Sequence, residues 1–421
     1  MQGNTDVRTL FGTRIVRLFA YGFLSVVLML YLTEVGLTES QIGLLFTLTL
    51  VGDTIVSLVI TTTADRVGRK RMLILGAALM IFAGLWFAAT DNFVLLLIAA
   101  TIGVISPSGN EVGPFLSVEQ AALSQLVAAE RRTRIFAWYN LAGSLATAMG
   151  ALTGGVLAQS LRAMGLSSLS SYRVIVIGYA AMGALLMFQF VWLSSAIEAV
   201  RKAEDLLNVG MLMKSSKKRL HGMLGLPRSG PVVIKLASLF SLDAFAGGFI
   251  LQSIIAYWFY VRFHVDPAGL GAIFFGGNIL AGCSALTASW LSKRIGLINT
   301  MVFTHIPSNI LLILVPLMPN LPLAIALLLL RFSISQMDVP TRQSYTMAIV
   351  DPDERAAAGG VSSVARSIGS SLSPVLAGKL MSVSMFNLPF FLAGGLKIVY
   401  DLLLYRSFCA VKPPEENGRK R

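Results

Sequence analysis

Apolar residues run along this chain in long blocks with brief polar punctuation, showing neither strand alternation nor the one-sided helical stripe of a soluble protein. A block of about 20 apolar residues is long enough for a helix to cross a bilayer. Twelve such blocks predict spans over 14–33, 41–63, 72–90, 93–126, 133–158, 173–193, 232–261, 267–291, 298–317, 321–349, 356–380 and 386–408. The fourth and tenth are longer than a bilayer requires and are expected to tilt, break or project beyond it. Pro107 and Gly109 mark break points in the fourth. One long polar interruption, 194–231, separates six blocks from six. The expected fold is an all-α membrane protein with twelve transmembrane helices in two pseudo-symmetric six-helix bundles. Its N-terminal bundle covers 1–193, its linker 194–231, and its C-terminal bundle 232–421.

Composition agrees that the solvent is lipid. Of 421 residues, 55% are hydrophobic and 13% charged, and the mean hydropathy is +0.73. A soluble chain of this length needs no such excess.

The net charge of +13 raises the question of a nucleic-acid partner. Its distribution answers against one. Alternate connections carry the bases: Arg8, Arg14 and Arg17 near the start, Arg66, Arg69, Lys70 and Arg71 between spans two and three, Arg131, Arg132 and Arg134 between four and five, and a cluster in the linker. Counted this way, 26 of the 34 Lys and Arg lie on one side and four on the other, Arg162, Arg173, Arg262 and Lys379. By the positive-inside rule both termini and the linker are cytoplasmic, which requires an even number of spans. The linker segment "EAVRKAEDLL" is expected to lie along the membrane surface. Two cysteines, Cys283 and Cys409, imply neither a disulfide framework nor a metal site. The first apolar block follows a polar stretch and is expected to insert and stay rather than be cleaved.

The two halves echo each other. "GLTESQIGLLF" (36–46) returns as "HVDPAGLGAIF" (264–274), and at the same offset of 228 Gly68 faces Gly296. "ERRTRIFAWYNLAGSLATAMGALTGG" (130–155) faces "DERAAAGGVSSVARSIGSSLSPVLAG" (353–378) at an offset of 223, so Gly155 pairs with Gly378 and Ala151 with Pro374. Related halves around a midplane cavity are a common transporter architecture.

The stretch "TTTADRVGRKRML" (61–73) resembles the loop signature of the major facilitator superfamily: Asp65, Arg66, Gly68, Arg69 and Lys70 match, while Thr61 stands where the first glycine is usual. The resemblance implies a conformational, gating role for Asp65, Arg66, Gly68 and Arg69. "GALTGG" (150–155) is similar to the antiporter signature of helix five, with Ala151 in place of its proline; the second-half copy keeps Pro374. Gly150, Gly154, Gly155, Pro374 and Gly378 are equally expected as helix-packing positions, since small residues let membrane helices approach closely.

Charges inside the apolar blocks are the candidates for function. Each costs about 2.5–3.5 kcal/mol to insert at mid-helix, so each needs a partner, a wet cavity or a task. In the tenth block, at about 100° per residue, Arg331, Asp338 and Arg342 fall within about 20° of one line, with Ser335 and Tyr345 about 40° to either side. That polar face is expected to line a central cavity or meet polar partners. Arg366, Lys397, Asp401 and Asp243 complete the second-half set; Asp53, Glu111 and Glu119 come from the first. The i, i+4 pairs Asp338–Arg342 and Lys397–Asp401 read equally well as structural ion pairs. Asp53 has no base in its own block and lies about 12 residues, or about 18 Å, from Gln41, near mid-bilayer. It reads as a proton-titrating carboxylate, and Arg331 as an anchor for an anion.

The three histidines, His221, His264 and His305, are scattered in a loop, at an outer edge and at a helix start. No P-loop pattern occurs. An enzyme is therefore not expected, nor a cofactor or metal. The expected function is secondary active transport of a small solute by alternating access, with proton-coupled export first and import of an organic anion as the alternative. A non-transporting membrane receptor is a third reading. The expected partners are the solute, protons and membrane lipid, without nucleic acid. The chain is expected to act as a monomer in a plasma or inner membrane.

Overall fold

A computed structural model describes residues 2–111, 113–198, 228–351 and 354–411. The helices follow the twelve predicted blocks. Eight spans are single helices: the second Glu39–Val67, third Arg69–Ala89, fifth Ala129–Ala163, sixth Ser168–Val191, eighth Pro267–Ile295, ninth Leu297–Leu314, eleventh Arg355–Ser382 and twelfth Leu388–Phe408. The remaining four are broken. The first is Gln2–Ser25 with Leu28–Glu34, the fourth Phe93–Ile102 with Phe115–Leu126, the seventh Gly230–Gly248 with Gln252–Phe263, and the tenth Leu321–Phe332 with Asp338–Ile349.

Every third span is thus interrupted. The fourth and tenth breaks follow from excess length, and Pro107 and Gly109 lie within the fourth. The breaks at 26–27 and 249–251 were not expected: Val-Val carries no breaking residue, and Phe-Ile-Leu none beyond the Gly247-Gly248 pair that precedes it. Tertiary contacts explain them. A membrane helix tolerates an interruption where neighbours satisfy the freed polar groups. Ser253 donates its N–H to the Pro107 carbonyl at 3.1 Å, and its hydroxyl lies 2.7 Å from the carbonyls of both Ser25 and Pro107. Gln252 Nε2 donates to Ser25 Oγ at 2.9 Å. The breaks of spans one, four and seven therefore meet in one hydrogen-bonded cluster. The first span bends by 45° at its break.

Among the described residues, eight helical runs are long and apolar enough to cross a bilayer by themselves, and the bent first span makes a ninth. The fourth and tenth are split into short helices, and the eleventh is rich in serine and glycine. These three depend on the bundle around them. Local signals start and stop the helices: a Thr38–Gln41 capping box opens the second span, and Gly68 and Gly296 turn the chain at φ +119° and +88°, a region that favours glycine.

Spans one and five pack together within the first half, and seven and eleven within the second; two packs on eleven and five on eight across the halves. Glycine makes the close approaches. A Cβ on Gly150 or Gly154 would meet the carbonyl oxygens of Phe19 and Phe23 at 2.0 and 2.2 Å, inside the first half. One on Gly155 would lie 2.2 Å from the Pro267 oxygen, one on Gly378 2.3 Å from that of Glu39, and one on Gly43 2.5 Å from that of Pro374. These last three seal a seam between the halves at the end away from the termini. Tyr257 OH to Glu39 Oε1 at 2.8 Å and Val375 N–H to Thr47 Oγ1 at 3.0 Å reinforce it. Of the linker, a short 3-10 turn at Ser195–Ile197 is described; 199–227, with most of "EAVRKAEDLL", lies outside the described residues.

Candidate functional site

Below the seam, the halves diverge around a cavity of about 690 Å³, within the range typical of small-molecule sites. Asp53 and Glu111 face it from the first half. Asp243, Arg331, Asp338, Arg342, Arg366 and Lys397 face it from the second. Asp401 does not reach the cavity wall. It is buried behind it, with His305 Nδ1 at 2.9 Å and Asn309 Nδ2 at 3.3 Å.

In the first half, Glu111 lies in the unwound stretch of span four rather than in a helix. Arg14 Nη1 donates to its Oε2 at 2.5 Å and Arg17 Nε to its Oε1 at 2.8 Å. The other side of Arg17 grips Glu119 in a fork, Nη2 to Oε2 at 2.6 Å and Nη1 to Oε1 at 2.8 Å. Thr13 and Tyr139 hydroxyls also donate to Glu119. Arg14 and Arg17 are buried, which corrects their expected place among the surface bases: the first helix begins a dozen residues earlier than its apolar block and carries them inside. Each finds a carboxylate on span four, so neither informs the side of the membrane. Asp53 stands apart from this network. It accepts the Gly113 N–H at 2.5 Å and has no ion-pair partner among the described residues.

In the second half, one carboxylate serves three cations. Asp243, on span seven, has Lys397 Nζ of span twelve at 2.5 Å, Arg366 Nη1 of span eleven at 2.9 Å and Arg342 Nη1 of span ten at 3.3 Å. Asp338 takes Arg342 at 2.9 Å, as its i, i+4 spacing allows. The other expected local pair does not form: Lys397 turns to Asp243 while Asp401 turns to His305. His305, placed by its sequence at a helix start, is buried inside span nine. A buried imidazole opposite a carboxylate three spans of chain away carried no sequence signal, because the pairing depends on how spans nine and twelve are rotated against each other.

The expected stripe along span ten is also changed. The turn at 333–337 interrupts the helix, so a constant 100° step does not apply across it. Arg331, Ser335, Asp338 and Arg342 still face the cavity. Tyr345 does not; it is fully buried and donates to the Val411 carbonyl at 3.0 Å.

At the end carrying the termini, Arg69 Nε meets Asp65 Oδ1 at 2.8 Å, and Arg69 Nη1 reaches Gln125 Oε1 and the Ile197 carbonyl, each at 3.1 Å. Glu198, just after span six, accepts the N–H groups of Arg69 at 2.7 Å and Lys70 at 3.2 Å, satisfying the open first turn of span three. Sequence reasoning missed Glu198, which had only its place in a mixed-charge linker to mark it. Arg66 is exposed in the last turn of the second span.

A family model described as Major Facilitator Superfamily matches residues 10–337 and 236–421. A membrane protein of Saccharomyces cerevisiae, YJR124C, is 31% identical over 96% of this chain and 94% of its own. The quinolone resistance protein NorA of Staphylococcus aureus is 21% identical over 94% of each chain. The solved structure of a D-xylose-proton symporter shares the fold over 95% of this chain and 97% of its own, with a TM-score of 0.71 and 15% identity.

Proposed function

The chain belongs to the major facilitator superfamily of membrane transporters, not enzymes, and we propose that it exports a small solute by alternating access in exchange for protons. The observation that carries the coupling is Asp53: a carboxylate on the cavity wall, while the buried Arg14 and Arg17 of the same half are both committed to other acids. A lone carboxylate at that depth is costly when dry and charged, and readily ionised when wet. Alternating access presents those two environments in turn. Export is supported by the likeness to NorA, a resistance protein.

In this reading the bundles 1–193 and 232–421 rock about the glycine seam, and the seam marks the outer face. The termini and linker are cytoplasmic, and the cavity is the inward-facing state. Asp65 and Arg69 steady the inner ends of spans two, three and four, with Gly68 giving the turn its shape. The moving unit is one chain.

Proteoliposomes under an imposed pH gradient test the coupling. Asp53→Asn should abolish gradient-driven accumulation and leave solute counterflow running. Uptake into the acidic compartment marks antiport; uptake into the alkaline compartment marks symport and overturns export. Continued gradient-driven accumulation by the variant removes Asp53 from the mechanism. Cysteine labelling at Ser168 from outside and at Ser215 from inside tests the orientation, and labelling of both from one side refutes it.

A further inference from the structure

Four cations face the cavity from the second half, and they are unequally satisfied. Arg342 is held between Asp338 and Asp243, and Lys397 is buried on Asp243. Arg366 touches that same carboxylate through one nitrogen, and 33% of its side chain is exposed. Arg331 has no hydrogen-bond or ion-pair partner among the described residues. Its Nε is shut away from solvent, and its guanidinium lies 5.3 Å from the ring of Phe332.

The shortfall of acid is structural. Asp243 and Asp338 are the carboxylates on this wall, against four cations. Even with Asp401 behind it counted, three carboxylates stand against four cations. The lone Asp53 of the opposite wall is not within ion-pair distance of Arg331. A guanidinium cannot escape by losing its proton, and it offers a planar fork of donors that fits carboxylate or phosphate oxygens. Should an anion draw Arg366 away, Asp243 keeps Lys397 and Arg342, so the exchange strands no buried charge.

We infer that Arg331, with Arg366 of the same wall, anchors the anionic group of an organic solute, a carboxylate or phosphate monoester carried on an apolar body. The cavity is far larger than a bare ion, and Phe274, Phe332 and Leu251 supply apolar surface within it. This names the solute class for the transport reading above and rests on it.

The full-length protein, purified in detergent, is titrated calorimetrically with 2-naphthoate, 2-naphthyl phosphate, the neutral 2-naphthamide and the cationic 2-naphthylmethylammonium. The expected result is binding of one or both anions, with the amide and the cation at least about tenfold weaker. Which anion binds tells carboxylate from phosphate. Arg331→Gln should weaken the anion by about tenfold or more and Arg366→Gln by less, while Arg331→Lys restores part of the loss. Arg262→Gln, at the far end of span seven, should change nothing. Equal binding of naphthoate and naphthamide by the native protein overturns the site without requiring any variant to fold, as does unchanged affinity in both glutamine variants. Anion binding with no counterflow keeps the site and sinks the transport reading. Counterflow of uncharged solutes without anion binding does the reverse.

Discussion

In the first half, Arg14 and Arg17 are shared out between Glu111 and Glu119 in a closed network that leaves a carboxylate, Asp53, over. In the second half, Asp243 is shared among three cations, and what is left over is a guanidinium, Arg331. The halves echo each other in sequence, and Glu119 and Arg342 occupy matching positions at the 223-residue offset. Matching positions of the repeat thus carry an acid in one copy and a base in the other. The lesson is that the repeat preserves where polarity enters the bundle but not its sign, and the unpaired group on each wall inherits the sign of that wall's surplus.

The comparison can be broken most forcefully at Asp243. Removing one member of a buried charge cluster costs about 3–5 kcal/mol. Asp243→Asn, which strands Lys397 and Arg366 and leaves Arg342 to Asp338 alone, should fall at the upper end, and Glu119→Gln, which strands one arginine still held by Glu111, at the lower. Thermal unfolding in detergent measures both. A milder loss at Asp243 than at Glu119 would mean that its cations are neutralised by something other than that carboxylate.

The seam comes next. Gly378→Ala puts a methyl group 2.3 Å from the Glu39 oxygen, and such overpacking costs about 1–3 kcal/mol. Because the clash lies between the halves, the variant should also favour the state in which this end is open. Cysteine labelling within the cavity from the outer side should rise; if stability falls with no change in labelling, the seam is packing alone.

Asp53→Asn sharpens the contrast from the opposite direction. It orphans no partner cation, so its stability should shift by less than about 1 kcal/mol, even as proton-driven transport is lost. A loss approaching that of Asp243→Asn would place Asp53 inside an ion-pair network after all.

The smallest effect is expected outside the spans. Glu354 caps the start of span seven, accepting the N–H groups of Arg228 at 2.9 Å and Ser229 at 2.8 Å. Burial opposes its charge, but these donors and the Arg228 guanidinium prevail and hold its carboxyl below the usual range. Its contribution is therefore full above the ordinary carboxylate range and is lost as the pH falls through the depressed value. Glu354→Gln should flatten the acid limb of the stability profile. An unchanged acid limb would assign that limb to other carboxylates.

How much of this was legible depends on whether the signal was local. Twelve apolar runs, an over-long fourth run containing Pro107 and Gly109, and glycines at the two loop turns can each be read within about 30 residues, the scale on which a helix forms and ends. The Asp338–Arg342 pair was equally local. Lys397 and Asp401 show the limit of that logic: identical spacing, yet each turns to another span, because a helix offers two neighbours at i±4 and the bundle offers several more.

The sequence by itself determined the solvent, the number and order of the spans, and which side chains would have to be reconciled with lipid, since those follow from hydropathy and length. Only the tertiary structure decided how they are reconciled. Arg14 and Arg17 go to span four, His305 goes to Asp401, and Asp243 joins spans ten, eleven and twelve. The breaks in spans one and seven belong to the same class. Each depends on how two helices distant in the chain are rotated and set in depth. A hydrogen bond tolerates only a few tenths of an ångström of error in that placement, far finer than any pattern along one strand of sequence records.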